Sequence, residues 1–117
     1  MSGAEEKITT THIAASPGWM VGTPQVDDDF LTDAVWWEPV IAWVVRTSEM
    51  EGEPTHSWVD PVSIGQVSPH KRYVIRSPDG AIDEPEAGRH ANDDCVVSQW
   101  REQDIRANQR RAAKAAK

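Results

Sequence analysis

Among its 117 residues the chain has one cysteine, one phenylalanine and one tyrosine. A lone Cys95 excludes an internal disulfide, so burial and hydrogen bonding must hold the fold. Free cysteine mostly packs as a small hydrophobe, and Cys95 is expected half-buried near a helix start. No apolar run approaches the ~20 residues needed to cross a bilayer. Residues 1–11 lack the charged-then-apolar pattern of a secretory leader. These absences point to a soluble, cytoplasmic protein. Catalytic signatures are also missing: there is no Gly-x-Ser-x-Gly elbow and no glycine-rich phosphate loop. Four histidines (His12, His56, His70 and His90) stand singly. His90 and Cys95 lie near Asp93 and Asp94, but structural zinc usually takes more than one Cys or paired histidines. His90 is therefore expected in a loop, and no metal, cofactor or catalytic residue is expected.

Indole is what the chain has in excess. It carries six tryptophans, three of them within Trp36-Trp37-Glu38-Pro39-Val40-Ile41-Ala42-Trp43. Each ring covers a large apolar area and brings one N–H that wants a partner. Charge is the second excess, and it is unevenly placed. Residues 1–100 hold 17 acids and 6 bases, whereas residues 101–117 hold 2 acids and 6 bases. The acidic body repels phosphate backbones, which leaves the basic tail Arg101–Lys117 as the only segment suited to nucleic acid.

At this length one domain is expected, over residues 7–105, with residues 1–6 disordered and 106–117 a frayed basic helical tail. Lys7–Ala14 is rich in β-branched residues and reads as a strand. Gly18–Thr23 reads as a second strand, hairpinned onto the first through Pro17-Gly18. Residues 24–33 read as an acidic loop, with Phe30-Leu31 tucked onto the core. Glu38–Arg46 has almost no polar face and reads as a central strand covered on both sides, with Pro39 at its first position. An acidic loop over 47–56 precedes a strand at Ser57–Ile64, which Pro61 assigns to an edge or bulge. His70–Arg76 reads as a strand, Ser77-Pro78-Asp79-Gly80 as a turn, and Ala81-Ile82 as the start of a returning strand. Asp83–His90 reads as a third acidic loop.

Asn92 is a good N-cap, Asp93 and Asp94 suit the positive end of a helix dipole, and Val96, Val97 and Trp100 give an apolar stripe. The fold class expected is α+β: a small antiparallel sheet or partly open barrel of four to six strands with one C-terminal helix.

The tryptophans divide by position. Trp43 and Trp100 are expected in the core, and Trp19 and Trp58 half-buried. Neighbours on an extended chain point to opposite faces, so if Trp36 and Trp37 are extended only one can face the core well. The other then sits at the surface beside the acidic loop, where a tryptophan can anchor a partner. The alternative is that residues 24–34 cover both. Asp27-Asp28-Asp29 does not match a calcium loop, because the acids are consecutive and no glycine follows at the bend.

Ile13-Ala14-Ala15-Ser16-Pro17-Gly18-Trp19, Glu38-Pro39-Val40-Ile41-Ala42-Trp43, Pro61-Val62-Ser63-Ile64 and Ile75-Arg76-Ser77-Pro78-Asp79-Gly80 together form a pattern. Over residues 8–82 it resembles a family of small uncharacterised proteins of bacteriophages and prophages. The chain departs from the pattern at Ser77, and the C-terminal helix lies outside it. The resemblance implies a phage or prophage accessory protein and brings no catalytic residues.

The expectation is a non-enzymatic protein that binds a host protein with a basic surface in the bacterial cytoplasm. Such a protein could inhibit a defence system in the manner of an anti-CRISPR, presenting carboxylates where phosphates would sit. The residues expected to carry it are Asp27, Asp28, Asp29, Asp33, Glu49, Glu51 and Glu53, with Trp36 or Trp37 as the apolar anchor. Two alternatives stay open. One is a nucleotide or small-molecule binding module that stacks bases on exposed indoles near Lys71, Arg72 and Arg76. The other is an enzyme of a type the motifs do not betray.

Overall fold

In the computed structural model, residues 6–64 and 72–116 are described. The expectations for residues 1–5 and for His70 and Lys71 lie outside them. The organising element is one long strand, β3 (Thr32–Glu49), of 18 residues. Its first half pairs antiparallel with β2 (Met20–Val26), and its second half with β1 (Lys7–Ala14) and β4 (His56–Ser63). From β2 the sheet continues through β5 (Val74–Arg76), β6 (Ile82–Glu84) and β7 (Gly88–His90). One helix, α1 (Asp93–Ala115), follows the strands among the described residues. The result is α+β: an antiparallel, half-barrel-like sheet with one C-terminal helix.

Two expectations about the strands are corrected by the register. β1 and β2 do not form a hairpin. Both run antiparallel to β3 along the same edge, β1 against Ala42–Glu49 and β2 against Thr32–Pro39. The bonds Ala15 N–H to Ile41 O (3.2 Å) and Val40 N–H to Trp19 O (2.9 Å) carry the edge across the break. Pro17-Gly18 therefore interrupts one long run and does not reverse it, and Gly18 takes the break at φ +99°. Pro39 lies inside β3, not at its start. It is the last residue before the ladder to β4 begins, so the two halves of β3 meet there.

The expectation that β3 is covered on both sides also fails. Val40 and Val44 are buried while Ile41 is half exposed, so only one face of this stretch is covered. A register shift between Val40 and Ala42 marks the bend between the halves.

Beyond that bend, β1, β4 and the end of β3 form a three-stranded arm. Every residue of β1 is exposed. The radius of gyration is 17.7 Å, against ~13 Å for a compact chain of this length, which fits an arm standing out from the body. β4 pairs only with β3 among the described residues, and Pro61 lies in it as befits an edge strand. At the arm's base the Asp60 carboxylate accepts from Arg46 (2.6 Å) and from the Tyr73 hydroxyl (3.4 Å). Burial, and then the charge of Asp60, push the Tyr73 phenol up to about 12. Trp43 is half-buried rather than core and meets Trp19 edge to face at 5.5 Å.

The core lies between the helix and the other half of the sheet. Val74, Ile82, Val96 and Trp100 are buried together, with Val35 and Trp37 packed against them. Asn92 caps the helix by accepting from Cys95 N–H at 2.9 Å. Asp93 accepts from the Trp37 indole at 2.9 Å. Farther along, Asp104 accepts from the backbone N–H (2.8 Å) and hydroxyl (2.6 Å) of buried Thr32 and from Arg72 (2.7 Å). These bonds fix α1 to the start and middle of β3. From residue 109 to 116 the helix is exposed throughout.

The reading of residues 83–90 as a loop is also overturned. They form the β6–β7 hairpin, turned by Glu86 (φ 68°) and Gly88 (φ 100°). His90 is a strand residue only 4% exposed, not a loop residue. Its inward direction follows from pairing opposite buried Ile82.

Gly22 shows how tightly the sheet meets the indole. A Cβ there would stand 2.5 Å from Val35 Cγ1 and 2.9 Å from the Trp37 ring. Gly22→Ala is therefore expected to cost about 2 kcal/mol through overpacking. A thermal melt followed by circular dichroism should fall by about 10 °C.

Candidate functional site

The acidic residues singled out in the sequence fall into two groups at opposite ends of β3. The β2–β3 connection is a short turn over Asp27–Leu31, with Leu31 O accepting from Asp27 N–H at 2.9 Å. Asp27 organises this turn: one carboxylate oxygen accepts from the N–H groups of Asp29 (2.9 Å) and Leu31 (3.1 Å). Its other oxygen accepts from Arg101 on the helix at 3.3 Å. The Leu31 amide is the leading reason its carboxyl is held below the usual aspartate range. Asp27 is thus committed to the fold. Asp28, Asp29 and Asp33 are exposed, Asp33 at the register shift that follows Val26 and Gln25.

Glu49, Glu51 and Glu53 lie at the far end, where β3 turns into β4, and all three are exposed. The strand between Asp33 and Glu49 would span ~50 Å if straight. The fold does not merge the two groups into one acidic platform.

The tryptophan pair separates as adjacent strand residues must. Trp37 turns to the helix, lies against the core, donates to Asp93 and carries the Arg76 guanidinium 4.4 Å from its ring centroid. Trp36 projects from the other face and is 55% exposed, its indole N–H donating to Glu38 at 3.3 Å. Among the described residues no helix covers that face, because α1 packs on the Val35 and Trp37 side.

Phe30 was expected on the core. It is instead 77% exposed, at φ 61° in the turn. That left-handed conformation is costly for a residue with a Cβ, and here it carries the ring out into solvent. The sequence signal was available: the only phenylalanine directly follows three aspartates.

This end of the molecule therefore presents two exposed aromatic rings, Phe30 in the turn and Trp36 farther along the strand, with exposed Asp28, Asp29 and Asp33 in and beside the turn. The strand geometry sets Trp36 about 15 Å from the turn. Such a surface can receive an apolar side chain and, around it, cationic groups.

The cations that would serve a nucleotide site are engaged elsewhere. Arg72 donates to Asp104, to Gln103 and to Trp100 O, and stacks 5.4 Å from the Trp100 centroid. Arg76 covers Trp37, and Lys71 lies outside the described residues. On the helical tail, Arg106 pairs with Glu102 at 2.5 Å and Arg111 with Asn108. Among the described residues no group of His, Cys, Asp and Glu is arranged to hold a metal ion, and no helix is long and apolar enough to cross a membrane.

Compared with known proteins, the chain matches no family model, no curated protein and no solved structure.

Proposed function

We propose that this is a binding protein that works without catalysis, and that its β2–β3 end receives a protein with a basic surface. The carrying observation is the split between adjacent indoles: Trp37 is spent on the core, while Trp36 stands 55% exposed on the sheet face opposite the helix. Tryptophan is among the residues that most often dominate binding energy.

Charge selects the partner's chemistry. Asp28, Asp29 and Asp33 are exposed and are not engaged in the ion pairs found among the described residues. Carboxylates around an apolar anchor favour lysine and arginine on the opposing surface. The resemblance of residues 8–82 to small phage and prophage proteins makes a bacterial host protein the partner proposed, and interference with a host defence the role it would serve.

The test is affinity capture from a bacterial lysate, run in parallel with Asp28→Asn/Asp29→Asn/Asp33→Asn. The expected result is a basic protein retained at about 50 mM salt and released at about 500 mM, where exposed charges are screened. The triple variant should lose it at both. Capture that is indifferent to salt and to the three substitutions would overturn the reading, as would no capture at low salt.

A further inference from the structure

A second cluster of reactive side chains lies away from the acidic turn, between the β6–β7 hairpin and the first turn of α1. Hairpin pairing sets Ile82 opposite His90 and Glu84 opposite Gly88, so Glu84 and His90 lie on the same, helix-facing side. The Asn92 cap makes Cys95 the third residue of the helix, which brings its sulfur beside His90 Nδ1. His90 Nδ1 is 3.3 Å from Cys95 Sγ, and its Nε2 is 2.7 Å from Glu84 Oε1. The other Glu84 oxygen accepts from the Trp100 indole at 3.3 Å.

This order has chemical content. A carboxylate that already accepts from Trp100 also accepts from His90, which places a hydrogen on Nε2. The Nδ1 lone pair then faces the thiol and can take its proton. Nucleophile, base and orienting carboxylate stand in sequence, each within hydrogen-bond reach of the next. Glu84 and Cys95 sit on opposite ring nitrogens, so the three do not converge on a point as metal ligands would.

The surroundings favour the charged pair. The sulfur also accepts from Gln99 Nε2 at 3.6 Å, and it sits at the positive end of the helix. The His90 bond, then the Ala91 amide, bring the Cys95 thiol below its ordinary value. Burial opposes charge on His90, but its bonds to Cys95 and Glu84 outweigh that and raise it. Asp93 and Asp94, in the same turn, work against a thiolate; Asp93 is turned to the Trp37 indole. Arg89 points to the other sheet face, where it pairs with Asp83. Cys95 itself is part-exposed, so a small reagent reaches it while His90 stays covered.

We infer that Glu84, His90 and Cys95 form a nucleophilic relay through which the Cys95 sulfur attacks small disulfides. His90 Nδ1 takes the thiol proton. The sulfur attacks one atom of the disulfide, the S–S bond breaks, and a mixed disulfide forms at Cys95. The departing thiolate recovers the proton from His90 or from water. Cys95 is oxidised and the small disulfide is reduced to a thiol, one per chain. This modification uses neither Trp36 nor the acidic turn, and so stands apart from the docking reading.

The test uses the full chain and two probes, iodoacetamide and oxidised glutathione. At about pH 6.5, wild-type Cys95 should alkylate ~10-fold faster than in His90→Gln. Oxidised glutathione should add one glutathionyl group to the wild type near neutral pH, seen by intact mass. Because His90 is buried and its variant can unfold, the wild-type pH profile of alkylation decides independently. A profile with its midpoint displaced to acid of a free cysteine's supports the relay. A midpoint at or above a free cysteine's, or a thiol that reacts only after unfolding, overturns it.

Discussion

Trp100→Ala should abolish the cooperative thermal transition of this domain or bring it close to room temperature. The ring is fully buried among Val74, Ile82 and Val96, and its indole donates to Glu84 while Arg72 stacks on it. Deleting a buried tryptophan costs about 3–5 kcal/mol, and a single domain has only about 5–15 kcal/mol in all. The substitution also leaves Glu84 without one donor and Arg72 without its aromatic surface. Trp100→Phe keeps most of the apolar area and loses the N–H, so it should cost about 1–2 kcal/mol. Urea denaturation of the two variants checks the pair. Near-equal losses would mean that the hydrogen bond, not the burial, holds the helix.

The second large effect is expected at Asp104. Its carboxylate gathers Thr32 N–H, the Thr32 hydroxyl and Arg72, so Asp104→Ala strips three partners at once. Thr32 is fully buried, and its donors would have no protein substitute. The cost should be about 3 kcal/mol, or a melting point lower by about 15 °C.

The same site predicts a pH dependence. Burial alone would raise the Asp104 carboxyl, but the Thr32 bonds and Arg72 hold it below the ordinary aspartate value. A group held lower in the folded state than in the unfolded one stabilises fully above the unfolded value, about 3.9. That contribution fades as pH falls through the folded value. The gap in melting temperature between the wild type and Asp104→Asn should therefore be constant above about pH 5 and shrink below about pH 4. Asp27 and Asp79 are also held low, so the difference between the two proteins, not the wild-type curve alone, is the readout. A gap unchanged down to about pH 2 would contradict the assignment.

What the sequence revealed and what it hid follow from the range of the interactions involved. Asn92, Asp93, Asp94 and the Val96–Trp100 stripe announce the helix because capping and periodicity act within one or two turns. The Lys7–Ala14 strand was legible for a similar reason, from its β-branched run. The partner of that strand was not legible. Pro17-Gly18 has turn chemistry, and only the length of β3, which accepts both β1 and β2 on one edge, shows that the chain is interrupted there and not reversed.

Residues 83–90 looked like a solvated loop because four of them are Asp, Glu or Pro. The hairpin they form depends on β5 as a template and on a turn in which Glu86 takes a positive φ. At the candidate surface, strand alternation predicted that Trp36 and Trp37 would part if extended, but which ring faced inward depended on α1 and Gly22. The Glu84–His90–Cys95 alignment was invisible, since it joins a hairpin to a helix turn through side-chain geometry.

Binding and folding divide between two adjacent rings, and capture by Trp36→Ala tests that division most directly. Trp36→Ala should melt within about 3 °C of the wild type and bind the captured basic protein about 30-fold more weakly, a loss of ~2 kcal/mol. Trp37→Ala, the control, should lower the melting point instead, because its ring packs on the core. Trp36→Ala that retains the partner at wild-type strength, or that unfolds as Trp37→Ala does, would contradict the central claim.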